Sequence, residues 1–464
     1  MTQPNIVLIV ADDMGYGDFG MFNDGPAQTP ALDGLADESV CLTQHYSGSC
    51  VCAPARAALM TGRYPHRTGA IDTLEGQGLD RLALREVTLA DHLRAAGYAT
   101  GMVGKWHLGA LDPRFHPNAR GFDDFFGFRG GWADYYKWRI DRNGTIEHSD
   151  GRYLTDVFAS EASAFIARNA QRPFFLHVAF NAPHTPLQAP QELVQPYVDA
   201  GLPHGVALIY AMNERMDAGV GQILDALDQT GCADNTVVMF TSDNGPQLSR
   251  GFDYTMGIEV DTHRFNCNFN GAKGNVFEGG IRVPMLVRWP DGLPAGQRND
   301  ALVHYVDWLP TLIEAAGVSR VGGRPIDGVS VLPALRGEIP AAAPRRYWQW
   351  NRYTPQVECN AAIRNGRWKL VRPRITELMS VRPEHTQMDR DLKYRPDLHA
   401  AAIPADIPER DFPPPEAPML FDLELDPGEQ NDLSNAEPQR AARLLGELES
   451  LFEEVEAERL TIAD

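Results

Sequence analysis

Four short apolar runs in this chain each stop abruptly at a cluster of polar residues, and this repeat limits the fold more than any other feature. Asn5 to Val10 runs into Ala11-Asp12-Asp13-Met14-Gly15, and Ala99 to Val103 into Gly104-Lys105-Trp106-His107. Pro173 to Phe180 leads to Asn181-Ala182-Pro183-His184, and Thr236 to Phe240 to Thr241-Ser242-Asp243-Asn244. Runs of this length read as strands buried on both faces. Helical patterns lie between them: Thr29 to Asp37, Thr88 to Ala96 closed by Gly97, Leu154 to Arg168, and Val206 to Leu227. The alternation predicts an α/β fold with a large mixed, largely parallel central sheet flanked by helices. Ligands collect outside the carboxyl ends of such strands, so Asp12-Asp13 reads as an oxygen-rich metal site, with a capped turn as the alternative.

From about Arg345 the pattern changes to short strand candidates: Arg345 to Trp350, Asn360 to Arg364, Trp368 to Val371 and Met419 to Asp422. A polar helix follows from Pro438 to Arg459. The expected division is an N-terminal α/β catalytic domain, 1–344, and a smaller C-terminal α+β subdomain, 345–464, carrying an antiparallel sheet. Residues 372–418 are Pro-rich and charged and read as one long loop. The Gly- and aromatic-rich stretch from Arg120 to Trp138 suits either a satellite core or a pocket wall.

Cys52-Ala53-Pro54-Ala55-Arg56, continuing to Thr61-Gly62-Arg63, carries the chemistry. With Pro54 at the first helical position, Cys52 lies at a helix N-terminus and Arg56 one turn on, so free N–H groups and a cation would stabilise an oxyanion on residue 52. The stretch C-x-P-x-R followed by T-G-R resembles the signature of type I sulfatases, formylglycine-dependent enzymes of the arylsulfatase kind within the alkaline phosphatase superfamily. Further islands match that pattern in chain order: D-D-M-G-Y-G-D from Asp12, G-K-W-H-L-G from Gly104, A-P-H-T-P from Ala182, S-D-N-G-P from Ser242, and K-G-x-x-F-E-G-G-x-R-V-P from Lys273. Leu420 to Glu429 is similar to the family's closing strand and turn.

The resemblance implies that Cys52 is converted to formylglycine by a maturation enzyme. It also implies that Asp12, Asp13, Asp243, Asn244 and the oxygen of residue 52 bind one divalent cation. Calcium is the family's expectation; an all-oxygen set also admits magnesium or manganese. Arg56 and Lys105 would stabilise the oxyanion of the formylglycine diol, and His107 would take a proton from its second hydroxyl. His184 and Lys273 would hold the sulfate oxygens and protonate the departing alcohol. Arg282 reads as an ion-pair residue, and His45, His66 and His263 as structural or peripheral. Tyr64-Pro65-His66-Arg67 would support the helix.

The implied activity is hydrolysis of sulfate monoesters, aryl sulfates first because the aromatic stretch around Trp132 to Trp138 suits a ring, with carbohydrate sulfates next. A formylglycine-dependent phosphonate monoester or phosphodiester hydrolase is the enzymatic alternative, and a catalytically silent sulfate-ester binding protein the alternative of another class. The chain has 42 Lys+Arg against 62 Asp+Glu and a net charge of −20, which opposes nucleic acid and anionic membranes as partners. An anionic substrate must therefore be attracted locally. The six cysteines have neither a zinc spacing nor a disulfide framework. No apolar run reaches the length of a membrane span, and no basic leader precedes the first strand, so a cytoplasmic location is expected. Self-association is left open. Residues 246–271, with Arg250, Tyr254, His263, Arg264 and Asn268, are expected to join 372–418 and Trp132 in a rim that selects the leaving group.

Overall fold

The run Ile6 to Val10 sends alternate side chains to opposite faces: Val7 and Ile9 enter one apolar cluster, and Ile6, Leu8 and Val10 enter another. This is the two-residue period of a strand covered on both sides. The computed structural model describes residues 3–23, 25–338, 344–395, 398–399 and 407–463. Twelve of its strands, in chain order, are β1 (Asn5–Ala11), β2 (Val40–Tyr46), β3 (Ala99–Lys105), β4 (Asp124–Phe128), β5 (Arg139–Arg142), β6 (Thr145–His148), β7 (Phe174–Ala179), β8 (Thr236–Ser242), β9 (Arg250–Asp253), β10 (Ile258–Asp261), β11 (Met285–Arg288) and β12 (Gln297–His304). The remaining four are β13 (Arg346–Gln349), β14 (Ala361–Asn365), β15 (Trp368–Arg372) and β16 (Met419–Asp422).

Ten strands form one mixed sheet in the order β12-β2-β11-β8-β1-β7-β3-β4-β5-β6. Its centre, β8-β1-β7-β3-β4, is parallel throughout. Helices Leu154–Asn169 and His204–Gln229 cover one face; Cys52–Thr61, Leu89–Ala95 and Trp308–Ala316 cover the other. The second sheet, β13-β14-β15-β16, is antiparallel. Its apolar face is continuous with the main core, because Tyr347, Ile363, Leu370 and Leu420 belong to the same cluster as Ile6 and Leu8. Helix Pro438–Arg459 adds Ala441, Leu444, Leu448 and Val455 to that cluster and pins its far end through Glu458, which pairs with Arg63 and Arg67. The expected supporting role of the Tyr64 to Arg67 turn has this physical form.

One expectation changes here, and one open alternative is decided. The stretch 372–418 is not one loop: it contains helices Thr376–Met379 and Pro383–Tyr394, while 396, 397 and 400–406 lie outside the described residues. The aromatic stretch is chiefly core. Phe122, Phe125, Phe126, Phe128, Tyr135 and Trp138 are all buried, and Trp132 is only partly so. Among the described residues no helix is long and apolar enough to cross a membrane.

Candidate active site

Parallel strands end on the same side of a sheet, so β1, β3, β7 and β8 deliver their terminal residues to one place. Ala11 pairs with Ser242, and Gly104 with Ala179, which brings Asp12, Lys105, His184 and Asp243 to a common edge. Oxygens of Asp12, Asp13 and Asp243 lie within 4.8 Å of one another, and Cys52 Sγ forms a similar group with Asp12 and His184. Three buried carboxylates this close repel strongly. Each therefore has a cation. Lys105 Nζ is 2.6 Å from Asp12 Oδ2, Lys273 Nζ is 2.7 Å from Asp13 Oδ1, and Arg56 Nη2 is 2.7 Å from Asp243 Oδ2.

Asn244 donates from Nδ2 to Asp13 Oδ1 at 2.7 Å, leaving its own Oδ1 buried without a hydrogen-bond partner among the described residues. Asp12 Oδ1 likewise has no hydrogen-bond partner among the described residues. Buried oxygens left over from a network of this quality mark a place for a cation. The donor set is all oxygen and suits a hard divalent ion. Asp13 and His107 hold left-handed backbone, with φ of 71° and 53°, a conformation that costs a non-glycine residue about 1 kcal/mol or more and concentrates at functional sites.

Cys52 is the first residue of helix Cys52–Thr61, with Val51 as its extended N-cap; Pro54 is the third helical residue and not the first as expected. The local argument survives, because every N–H of the first turn lacks an intrahelical partner. Burial pushes the Cys52 thiol upward, against the pull of Lys105 and Lys273, so the unmodified side chain is a weak nucleophile at neutral pH. Burial also pushes the Asp12 carboxyl up to about 7 despite Lys105. Burial acts in the same direction on Asp13, but Lys273 and His184 outweigh it and hold that carboxyl low.

Both histidines are held neutral by burial, reinforced by Lys105 at His107 and by Lys273 at His184. His184 Nδ1 lies 2.7 Å from Thr185 O, which fixes the proton there and leaves Nε2 as an acceptor 3.8 Å from Asp13. His107 Nε2 lies 3.4 Å from Thr73 O, and its Nδ1 is buried with no hydrogen-bond partner among the described residues. The ring rests against Gly131, where a Cβ would come within 2.7 Å of His107 Cε1.

Cys52, His107, His184 and Lys273 line a cavity of about 650 Å³. Its mouth is built by Trp132, by Gln247 to Ser249, and by Trp350, Arg352, Arg374, Met379 and Asp389 of the small subdomain. None of Arg250, Tyr254, His263, Arg264 and Asn268 lines it. Arg264 is buried in an ion pair with Asp18, and His263 is exposed beside Asp261. Arg282 is structural as expected, donating to Thr43 O and pairing with Glu278. Thr73, Glu75, Trp350 and Arg352 escaped the sequence reading, since no motif or spacing links them to the strand ends, whereas Arg374, Met379 and Asp389 belong to the 372–418 segment expected at the rim.

A family model described as sulfatase matches residues 4–318, more than half of the chain. The chain belongs to the sulfatase family. It is a type I sulfatase of the alkaline phosphatase superfamily, an enzyme that hydrolyses sulfate esters, and the family generally uses a metal ion and formylglycine. A second model, the C-terminal region of N-sulphoglucosamine sulphohydrolase, matches residues 271–381. Steryl-sulfatase of Mus musculus is 32% identical, over 94% of this chain and 79% of that one. N-acetylgalactosamine-6-sulfatase of Canis lupus familiaris is 31% identical, over 93% and 82% respectively. Among solved structures, that of Ps i-CgsB in complex with k-i-k-neocarrahexaose superposes with a TM-score of 0.80 at 30% identity, covering 97% of this sulfatase and 93% of that chain.

Proposed function

We propose that this sulfatase cleaves carbohydrate sulfate monoesters through a formylglycine at residue 52 and one divalent cation, calcium by the family's habit. The observation that carries the reading is the convergence of Asp12, Asp13, Asp243 and Asn244 beside residue 52, which itself lines a cavity together with Lys273, His184 and His107. The four oxygen-bearing side chains would hold the cation together with an oxygen on residue 52. When bound, the cation supplies Lewis-acid withdrawal of charge from the sulfuryl group, an effect of several kcal/mol. A thiol would put soft sulfur into an otherwise hard oxygen set, which favours conversion of Cys52 to an oxygen-bearing residue.

The roles of the remaining side chains follow from their protons. Lys273 Nζ is charged and lies at the cavity wall, so it holds a sulfate oxygen and is the group placed to give a proton to the leaving alcohol. His184 has Nδ1 committed to Thr185 O, so it would hold a sulfate oxygen as the imidazolium, with Nε2–H donating. His107, neutral with a free Nδ1, is the general base. Arg56 and Lys105 fix the metal-binding carboxylates first, and act on charge at residue 52 through that array. The aryl preference read from the sequence loses its footing, because only Trp132 of the aromatic stretch reaches the cavity while the rest packs the core. Polar walls and the volume of the cavity suit a sugar.

Peptide mass spectrometry of active enzyme should show an aldehyde in place of the Cys52 thiol, and Cys52→Ala should release no sulfate above about 10⁻³ of the wild-type rate. Full activity with an intact thiol would refute the mechanism. Faster turnover of an aryl phosphonate or a phosphodiester than of any sulfate ester would assign the same site to the alternative hydrolase.

A further inference from the structure

The cavity is closed on one side by a ring of contacts that joins the sulfate end to the small subdomain. Trp350 Cζ3 sits 3.6 Å from where a Cβ on Gly274 would stand, next to Lys273. The Arg352 guanidinium lies 4.9 Å from the Trp350 ring centre, and its Nη1 is 2.8 Å from both Asp72 Oδ1 and Thr73 Oγ1. Thr73 O in turn meets His107 Nε2 at 3.4 Å. One residue, Thr73, thus separates the Arg352 guanidinium from the general base. Asp72 holds Arg352 by one nitrogen, and among the described residues its Nε and Nη2 have no hydrogen-bond partner.

Arg374 lines the same wall, is exposed, and among the described residues has neither a carboxylate nor a hydrogen-bond partner. Two carboxyl groups also face this wall. Glu75 is spent on Lys393 and on the Gly131 N–H. Burial, with Glu75 nearby, pushes the Asp389 carboxyl up to about 7, so it is only partly charged at neutral pH. The rim therefore presents one guanidinium, Arg374, without a carboxylate partner among the described residues, while the charge of Arg352 is already matched by Asp72, in a chain whose net charge of −20 otherwise repels anions. A planar guanidinium fork pairs in bidentate fashion with a carboxylate or a sulfate. An uncharged sterol or phenol would give it nothing but water.

We infer that the cavity selects a leaving-group alcohol bearing a second acidic group, a sulfate or a uronate carboxylate on the same sugar or its neighbour, which Arg374 binds. The inference rests on the sulfate-ester reading of this site and adds the chemistry of the alcohol. It makes Arg374 a specificity residue outside the reacting centre. Its interaction is partly exposed, so it should weaken steeply with added salt.

The experiment compares wild type, Arg374→Ala and Arg374→Glu on four substrates: 4-nitrophenyl sulfate, N-acetylgalactosamine 6-sulfate, D-glucosamine-2-N,6-O-disulfate, and a sulfated disaccharide with a uronate. Arg374→Ala should lower kcat/KM about tenfold on the doubly anionic sugars, chiefly through KM, and should change the two singly charged substrates several-fold less. Arg374→Glu should reverse the preference of the wild type. A loss confined to the disulfate assigns the second group as sulfate, and one confined to the disaccharide assigns it as carboxylate. Equal losses on all four substrates, or no loss on any, would overturn the inference. If no sulfate ester is turned over, the assigned reaction fails instead, and tryptophan fluorescence of Cys52→Ala titrated with the same sugars still decides. Binding that is indifferent to Arg374, or absent, overturns the inference.

Discussion

Asp243→Ala is expected to reduce sulfate release by at least about 10³ and, in the same protein, to lower its stability by about 3 kcal/mol. The first effect follows from losing one oxygen of the cation set. The second follows from Arg56. Its Nε and Nη2 both donate to Asp243 Oδ2, at 3.1 and 2.7 Å, and its next carboxylate, Asp12, is 4.0 Å away. Three carboxylates and three cations balance in this cluster, so removing Asp243 leaves a buried guanidinium in excess. Asp243→Asn keeps the shape and an acceptor and should be less unstable while remaining inactive. The decisive measurement is thermal unfolding with calcium and with chelator. A ligand at a hundred times its Kd stabilises by about 2.7 kcal/mol, and that calcium-dependent rise in Tm should vanish in both variants. A wild-type calcium shift in Asp243→Ala would remove Asp243 from the ligand set.

The strand ends were legible because strands covered on both faces have a continuous apolar signature, and the chemistry begins where that signature stops. Asp12, Lys105, His184 and Asp243 all announce themselves in this way. The start of the helix at Cys52 was legible only to within a turn, since proline is tolerated throughout the first turn and cannot mark its first residue. Helix Pro383–Tyr394 was hidden for a related reason. Its proline is the first helical residue, and only His385, Met388 and Leu392 are buried, so a charged, proline-rich stretch concealed a narrow apolar stripe. The aromatic stretch was ambiguous because Asp-Phe-Phe-Gly-Phe has the composition of a pocket wall but packs as β4 inside the core. Arg352 was beyond reach, and Arg374 was legible only as part of a long segment expected at the rim: both come to line the cavity of Cys52 across some three hundred residues of chain, through the docking of a second sheet that no local pattern encodes.

That docking supplies the second large effect, expected in Lys369→Met. Lys369 Nζ lies 2.9 Å from Glu278 Oε1 and 2.8 Å from Glu429 Oε1, and all three side chains are fully buried between the two sheets. Glu278 also accepts from Tyr46 at 2.6 Å, while its own N–H donates to Glu429 Oε2 at 2.5 Å. Asn360 holds the intervening backbone, accepting from Val276 N and donating to Gly274 O. The segment that carries Lys273 into the cavity is thus fastened by the small subdomain. Methionine keeps the volume and removes the charge, leaving two carboxylates to share one buried space, at a cost of about 3–5 kcal/mol near pH 8. Burial already pushes the Glu429 carboxyl up to about 7, against the pull of Lys369. Losing that cation raises it further. A carboxyl whose folded pKa exceeds its unfolded value of about 4.3 binds its proton more tightly in the native state, so its contribution is greatest at low pH and falls as pH rises through the folded value. The deficit of Lys369→Met should therefore be large at pH 8 and smaller at pH 5.5 in urea unfolding. Lys369→Met/Glu429→Gln should recover most of both stability and turnover, because Glu278 keeps Tyr46 and Arg282 as partners. A deficit equal at both pH values and untouched by the second substitution would show that Lys369 acts by packing alone, and that charge does not hold the Lys273 segment in place.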